Sequence, residues 1–216
     1  MTEIQFNEIK ERLAKWREER HLTYENQQTG FLGNVFEEVS EYFRAKNDLE
    51  KIDALCDIAI FCFNSFDLEF KEMGKIYDFD ATKISIVDIT NDLTYTTAKF
   101  MRKDFKYFNN IYRLVFNCKH LCKNLGFNFY QCMLQTIKEI ESRTGFYDDE
   151  LNKFIKDEGY YDITHLKNEI KLPKTYEIIN MIEEKDLFLV KIKTPNTILT
   201  NKFKKWYKAD YESCRL

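Results

Sequence analysis

Between Phe31 and Asn64, acidic side chains recur at helical spacing inside a run whose other residues are suited to a hydrophobic core. The run reads FLGNVFEEVSEYFRAKNDLEKIDALCDIAIFCFN. Phe31, Leu32, Val35, Phe36, Val39, Tyr42 and Phe43 follow a helical period, and Glu38 and Glu41, three apart, share a face. Glu37 stands beside them, about a quarter of a turn away. In the second half Asp53 and Asp57, four apart, share a face of their own, and the Ile-Ala-Ile-Phe-Cys-Phe that follows leaves that helix almost no side for water.

A carboxylate among apolar neighbours costs several kcal/mol unless it is paired, protonated or metal-bound. Two helices joined by the polar link around Lys46 to Glu50 are expected to pack antiparallel, which sets Glu38 and Glu41 opposite Asp53 and Asp57. No Lys or Arg on the second helix face is placed to neutralise them. A hard divalent cation with oxygen ligands would relieve the repulsion, and Mg²⁺ in turn points to a phosphate-bearing ligand.

Glu37-Glu38-Val39-Ser40-Glu41 followed by Asp53-Ala54-Leu55-Cys56-Asp57 resembles the EExxE…[ED]xx(x)D signature of the all-α nucleoside triphosphate pyrophosphohydrolases, which include MazG-like enzymes, dCTP pyrophosphatases, dimeric dUTPases and phosphoribosyl-ATP pyrophosphohydrolase. The resemblance implies an all-α fold, a helical bundle of four to five helices with a small C-terminal insertion able to hold a β-hairpin. It implies Mg²⁺, with Mn²⁺ able to substitute, on Glu38, Glu41, Asp53 and Asp57, and a water polarised by Glu38 with help from Glu37. The activity it implies is hydrolysis of an NTP or dNTP to the monophosphate and pyrophosphate, in a homodimer or higher homo-oligomer. Asp53 stands where the family more often has Glu, and Asn34 where many members carry Lys.

Composition narrows the alternatives. Only 6 Gly and 2 Pro in 216 residues favour helices over a turn-rich sandwich. A formal charge of -3 provides no global basic field, so nucleic acid is not expected as a partner. The first residues have neither a basic nor an apolar leader region, and no apolar run is long enough to span a bilayer, so a cytoplasmic protein with no membrane partner is expected. The six cysteines, embedded in apolar periodicity, read as reduced core thiols, and Cys118-Lys-His120-Leu-Cys122 lacks the paired spacing of a zinc site.

Residues from about Glu3 to His21 read as an amphipathic helix with Ile4, Phe6, Ile9, Leu13 and Trp16 on its apolar side and the charges elsewhere. The polar run Thr23 to Gly30 then breaks the pattern. In the resembled family this stretch helps form the substrate pocket, which makes Asn26 and Gln27 candidates for nucleobase contacts; as a bare sequence it is equally an ordinary solvated loop. A helix end is expected near Met73 and Gly74, a polar connector up to Asp80, two helices from Thr82 to about Leu125, and another from Asn128 to Thr144.

EIESRTGFYDDELNKFIKD (139–157) and WYKAD (206–210) resemble the C-terminal part of MazG-like proteins, including phage-encoded ones. Arg143, Lys153, Lys156 and Lys208 are its candidate cations for triphosphate, each also readable as a solvated surface charge. Asp186 to Lys193 alternates like a strand. The expected organisation is therefore a main domain over 1–157, an insertion or cap over 158–204, and a C-terminal segment, 205–216, returning to the main domain.

Three readings compete: a superfamily member specific for dUTP or phosphoribosyl-ATP, which the same metal ligands would serve because base choice is made elsewhere, and two outside the superfamily. A di-iron carboxylate bundle needs Glu-x-x-His pairs, and none occurs. A helical interaction protein, with its acids as a solvated stripe or salt-bridged to the basic C-terminal region, needs only the common fate of charge runs on helices.

Overall fold

The computed structural model describes residues 1–70, 81–101, 109–151 and 153–216. The helix end expected near Met73 and Gly74, and the connector to Asp80, lie outside them. Two compact units emerge, one made of Met1–Ile137 together with Ala209–Leu216, the other of Lys138–Lys208.

The first unit is helical: α1 (Glu3–Glu18), α2 (Tyr24–Arg44), α3 (Asp48–Ser65), α4 (Ile86–Met101), α5 (Asn109–Asn124) and most of α6 (Phe129–Ser142). At its centre is α3. Ile52, Ala54, Leu55, Cys56, Ile58, Ala59, Ile60, Cys62 and Phe63 are all buried, so this helix is covered on every side that its apolar residues reach. Helices α1, α2 and α5 pack on it, and α4 packs in turn on α2 and α5. Phe6, Ile9 and Leu13 of α1, at turn-to-turn spacing, are fully buried, and the Phe6 ring lies 5.0 Å from that of Phe63. Ile4, expected on this side, points instead to solvent.

The C-terminal end of α3 has no basic residue of its own to satisfy its last carbonyls. Other helices supply the donors. Arg17 of α1 is buried and donates to the Phe63 carbonyl (3.3 Å) and Asn64 Oδ1 (2.9 Å), with its guanidinium 4.4 Å from the centre of the Tyr24 ring. Gln28 Nε2 of α2 donates to the Ser65 carbonyl at 2.8 Å, and Lys10 Nζ to the Leu68 carbonyl at 2.9 Å. Between α4 and α5 the buried Asp92 accepts from Asn117 Nδ2 (2.8 Å) and pairs with Arg113 Nε (3.1 Å).

Two helix ends use the left-handed backbone. After α5, Gly126 (φ +87°) lets its own N–H reach the Lys123 carbonyl and that of Phe127 reach Cys122. After α1 the same pattern is made by His21 (φ 52°), with Leu22 N donating to the Arg17 carbonyl at 2.9 Å. Among the described residues no helix is long and apolar enough to cross a membrane.

The second unit overturns the all-α expectation. It holds a two-stranded antiparallel sheet, β1 (Gly145–Asp148) with β2 (Lys153–Lys156), and a four-stranded sheet in the order β3-β6-β5-β4, from β3 (Gly159–Tyr160), β4 (Glu177–Glu183), β5 (Leu187–Lys193) and β6 (Ile198–Lys205). β3 runs parallel to β6, and the other pairs are antiparallel. A short helix, α7 (Ile163–Glu169), adds Leu166 to a core of Tyr160, Phe188, Val190, Ile192 and Phe203. The protein is therefore mixed: seven α-helices and two sheets among the described residues, in place of a bundle with a small hairpin. The strands beside β5 hid because they are mostly solvent-facing, β6 burying only Phe203. Such strands show no clean alternation.

Replacing Phe6 with Ala is expected to cost about 3–5 kcal/mol, the usual loss for a fully buried ring that leaves a cavity. Urea unfolding checks it; a cost below about 1 kcal/mol would mean that α1 does not seal α3 as described.

Candidate functional site

The acidic residues sit where α2 and α3 face each other. Residues Ala45 to Asn47 join the two helices, and Glu50 fixes the turn, its carboxylate accepting from Lys46 N (2.7 Å) and Asn47 Nδ2 (2.9 Å). The helices are antiparallel neighbours: Gln28 meets Ser65 at the far end, and the Phe31 and Phe66 rings are 5.0 Å apart. Nearer the turn this pairing brings Glu38 and Asp53 within each other's field.

Glu38 is half-buried. Its carboxyl is pushed up to about 8, first by burial, then by Glu41, Asp53 and Glu37. Glu37, Glu41 and Asp53 are exposed, and Asp57 is half-buried. Four of the acids expected from sequence to act together, Glu37, Glu38, Glu41 and Asp53, are thus close enough to repel. Asp57 joins through Tyr211, whose hydroxyl is raised well above its ordinary range by burial and then by Cys56, Asp53 and Asp57.

Tyr211 is the residue that sequence reasoning missed. Its hydroxyl donates to Asp53 Oδ1 at 2.7 Å and lies 2.9 Å from Thr136 Oγ1, while Thr136 Oγ1 also bonds the Cys132 carbonyl at 3.0 Å. The partners Tyr211 and Asp53 are 158 residues apart, and no local spacing could have joined them. Asp210 N bonds Gln135 Oε1 at 3.2 Å, and Cys214 O accepts from Asn128 N at 2.8 Å, which fix the last segment along α6.

The remaining sequence candidates fall elsewhere. Thr23 to Gly30 is the first two turns of α2 and not a loop, because Thr23 and Asn26 form a reciprocal cap: Thr23 N donates to Asn26 Oδ1 (3.0 Å) and Asn26 N to Thr23 Oγ1 (3.3 Å). Asn26 is occupied as a capping residue, and Gln27 is half-buried within the helix. Arg143, Lys153, Lys156 and Lys208 all belong to the second unit. There Arg143 pairs with Glu139 at 2.6 Å and meets the Tyr161 hydroxyl, which itself donates to Glu139 at 2.8 Å. Lys153 and Lys156 begin and end β2, opposite Asp148 and Gly145. Lys208 is exposed and helps to hold the Asp162 carboxyl below its usual range, after the hydrogen bond from His165 N.

No protein-family model, curated protein or solved structure matches the chain. Among the described residues no group of three or more His, Cys, Asp or Glu is arranged to hold a metal ion. Together with the β-rich second unit, these findings correct the resemblance drawn from the acidic motif. The chain is not of the all-α, MazG-like architecture on which that resemblance depends, and the expected pyrophosphohydrolase activity, with its identity as a nucleotide hydrolase, falls with it. What stands is the local electrostatics of the carboxylates.

That electrostatics has a measurable sign. In the metal-free protein a Glu38 carboxyl held near 8 keeps a proton that the unfolded chain, at its ordinary value of 4.5, has already lost. Its contribution to stability is present in full below about 4.5 and is lost as pH rises through about 8. Urea midpoints of the wild type in EDTA should therefore fall between pH 5 and pH 8 more steeply than those of Glu38→Gln. Parallel slopes would show that the Glu38 carboxyl is not raised by its surroundings.

Proposed function

We propose that the α2–α3 carboxylates bind a hard divalent cation, Mg²⁺ with Mn²⁺ able to replace it, and that Glu38, Glu41, Asp53 and Asp57, which without it are not set in a coordinating arrangement, close on the ion when it binds. The observation that carries this reading is the antiparallel packing of α2 on α3, which sets Glu38 among Glu37, Glu41 and Asp53 and pushes its carboxyl up to about 8. Without a cation the Glu38 carboxyl holds a proton into the neutral range; a doubly charged ion removes that demand. The donor set suits such an ion, since every group is a carboxylate oxygen. Tyr211 supports Asp53 from behind, fixing one donor in the way that outer hydrogen bonds orient metal ligands.

A cation held by carboxylates on one side offers its remaining positions to oxygen ligands, and the phosphate groups of a nucleoside triphosphate are the expected occupant, bound as a ligand. No bond-breaking step is assigned to the site. Phe36 and Phe43, exposed and seven apart on α2, support association of two copies of the chain along that helix. Six free, buried cysteines support a reducing, cytoplasmic setting.

The test is thermal. An ion that binds the folded state alone adds about 2.7 kcal/mol at a hundredfold excess over its Kd, a rise of several degrees in Tm for a chain of this size. Mg²⁺ should raise the Tm of the wild type and leave that of Glu38→Gln/Asp53→Asn unmoved. An equal rise in both proteins, or none in the wild type, would sink the cation site.

A further inference from the structure

A second gathering of like charge, opposite in sign, lies elsewhere in the helical unit, and the cation reading makes no use of it. Lys119 and Lys123, one turn apart at the end of α5, line a pocket of about 190 Å³ together with Gln5, Asn128, Tyr130 and the chain's first residue, Met1. A water molecule takes about 30 Å³ of liquid, so the space admits a ligand of several heavy atoms.

The donors in this lining are the two lysines and the amide groups of Gln5 and Asn128; Leu216 also borders it, and the Tyr130 hydroxyl is turned to the Glu8 carboxylate. Neither lysine forms an ion pair with a described residue. The two amide side chains have their oxygens engaged in helix caps: Gln5 Oε1 accepts from Thr2 N at 2.8 Å at the start of α1, and Asn128 Oδ1 accepts from Gln131 N at 3.3 Å at the start of α6. Their NH₂ groups make no hydrogen bond within the described residues. The pocket also stands at the N-terminal ends of two long helices, α1 and α6, where the backbone dipole favours negative charge. The cations depress one another: Lys119 is lowered by burial and then by Lys123, the Met1 amine by burial and then by Lys119. His120, lowered to about 4 by burial, then Lys119, Lys123 and the terminal amine, registers the same field.

We propose that this pocket binds a phosphate group, free or as a phosphomonoester, through Lys119, Lys123 and the amide nitrogens of Gln5 and Asn128. The competing role for the lysines is complementing the dipole at the end of α5, which needs no ligand.

Titration calorimetry of the full chain in EDTA, at constant ionic strength with chloride as the reference anion, separates the two and leaves the cation site out of the measurement. Inorganic phosphate and a nucleoside monophosphate are the two probes. Saturable binding of either, weakened at least tenfold in Lys119→Gln/Lys123→Gln and in the solvent-exposed single variant Lys123→Gln, supports the site. Tighter binding of the monophosphate identifies the phosphomonoester as the source, and equal binding identifies the free ion. In the same samples the His120 imidazole, followed by NMR, should titrate at higher pH once phosphate is bound. Absence of saturable binding to the wild type, or undiminished binding by folded Lys123→Gln and the double variant, overturns the proposal.

Discussion

The helical unit depends on one constraint, that past its first turn α3 gives water only a narrow strip along Asp53 and Asp57. A helix with a single apolar stripe can lie on a surface, but one that is apolar nearly all round must be enclosed. Enclosure explains why α1, α2 and α5 converge on it. It also explains the placing of three long polar side chains. Arg17, Gln28 and Lys10 reach the terminal carbonyls of α3 and the segment beyond it, where burial would otherwise leave acceptors without donors. Burial of the α3 helix and donation to its exit are two parts of one solution.

The acidic cluster follows from the same enclosure. Asp53 and Asp57 lie on a strip of α3 that is not sealed, and α2, packed alongside, brings Glu38 and Glu41 to that seam. Apolar packing supplies the force that holds like charges together there. At the opposite sign, the ends of α1, α5 and α6 gather Lys119, Lys123 and the Met1 amine. In both places the fold gathers charges of one sign.

Much of this was legible from spacing. The period of Phe31, Val35 and Val39 and the unbroken apolar run of α3 identify two adjacent helices and the seam between them. Tyr211 was not legible, because its role depends on a contact across most of the chain. Arg17 was hidden by its charge, although its position one turn after Leu13 continues the buried row of α1. The first turns of α2 read as a loop because their cap pairs Thr23 with Asn26, a shorter partner than the Glu or Gln of the usual box. β4 and β6 escaped because strands that bury so little have no pattern to display, and the acidic motif then lent its family's all-helical expectation to residues it does not cover.

The chain leaves Ile137 for the second unit and comes back at Ala209 to finish the first. During translation, Asp53 therefore emerges from the ribosome 158 residues ahead of the tyrosine that holds it. At 5–20 residues per second that interval is on the order of ten seconds. The nascent helices must spend it with the seam unlatched, until Tyr211 arrives to close it.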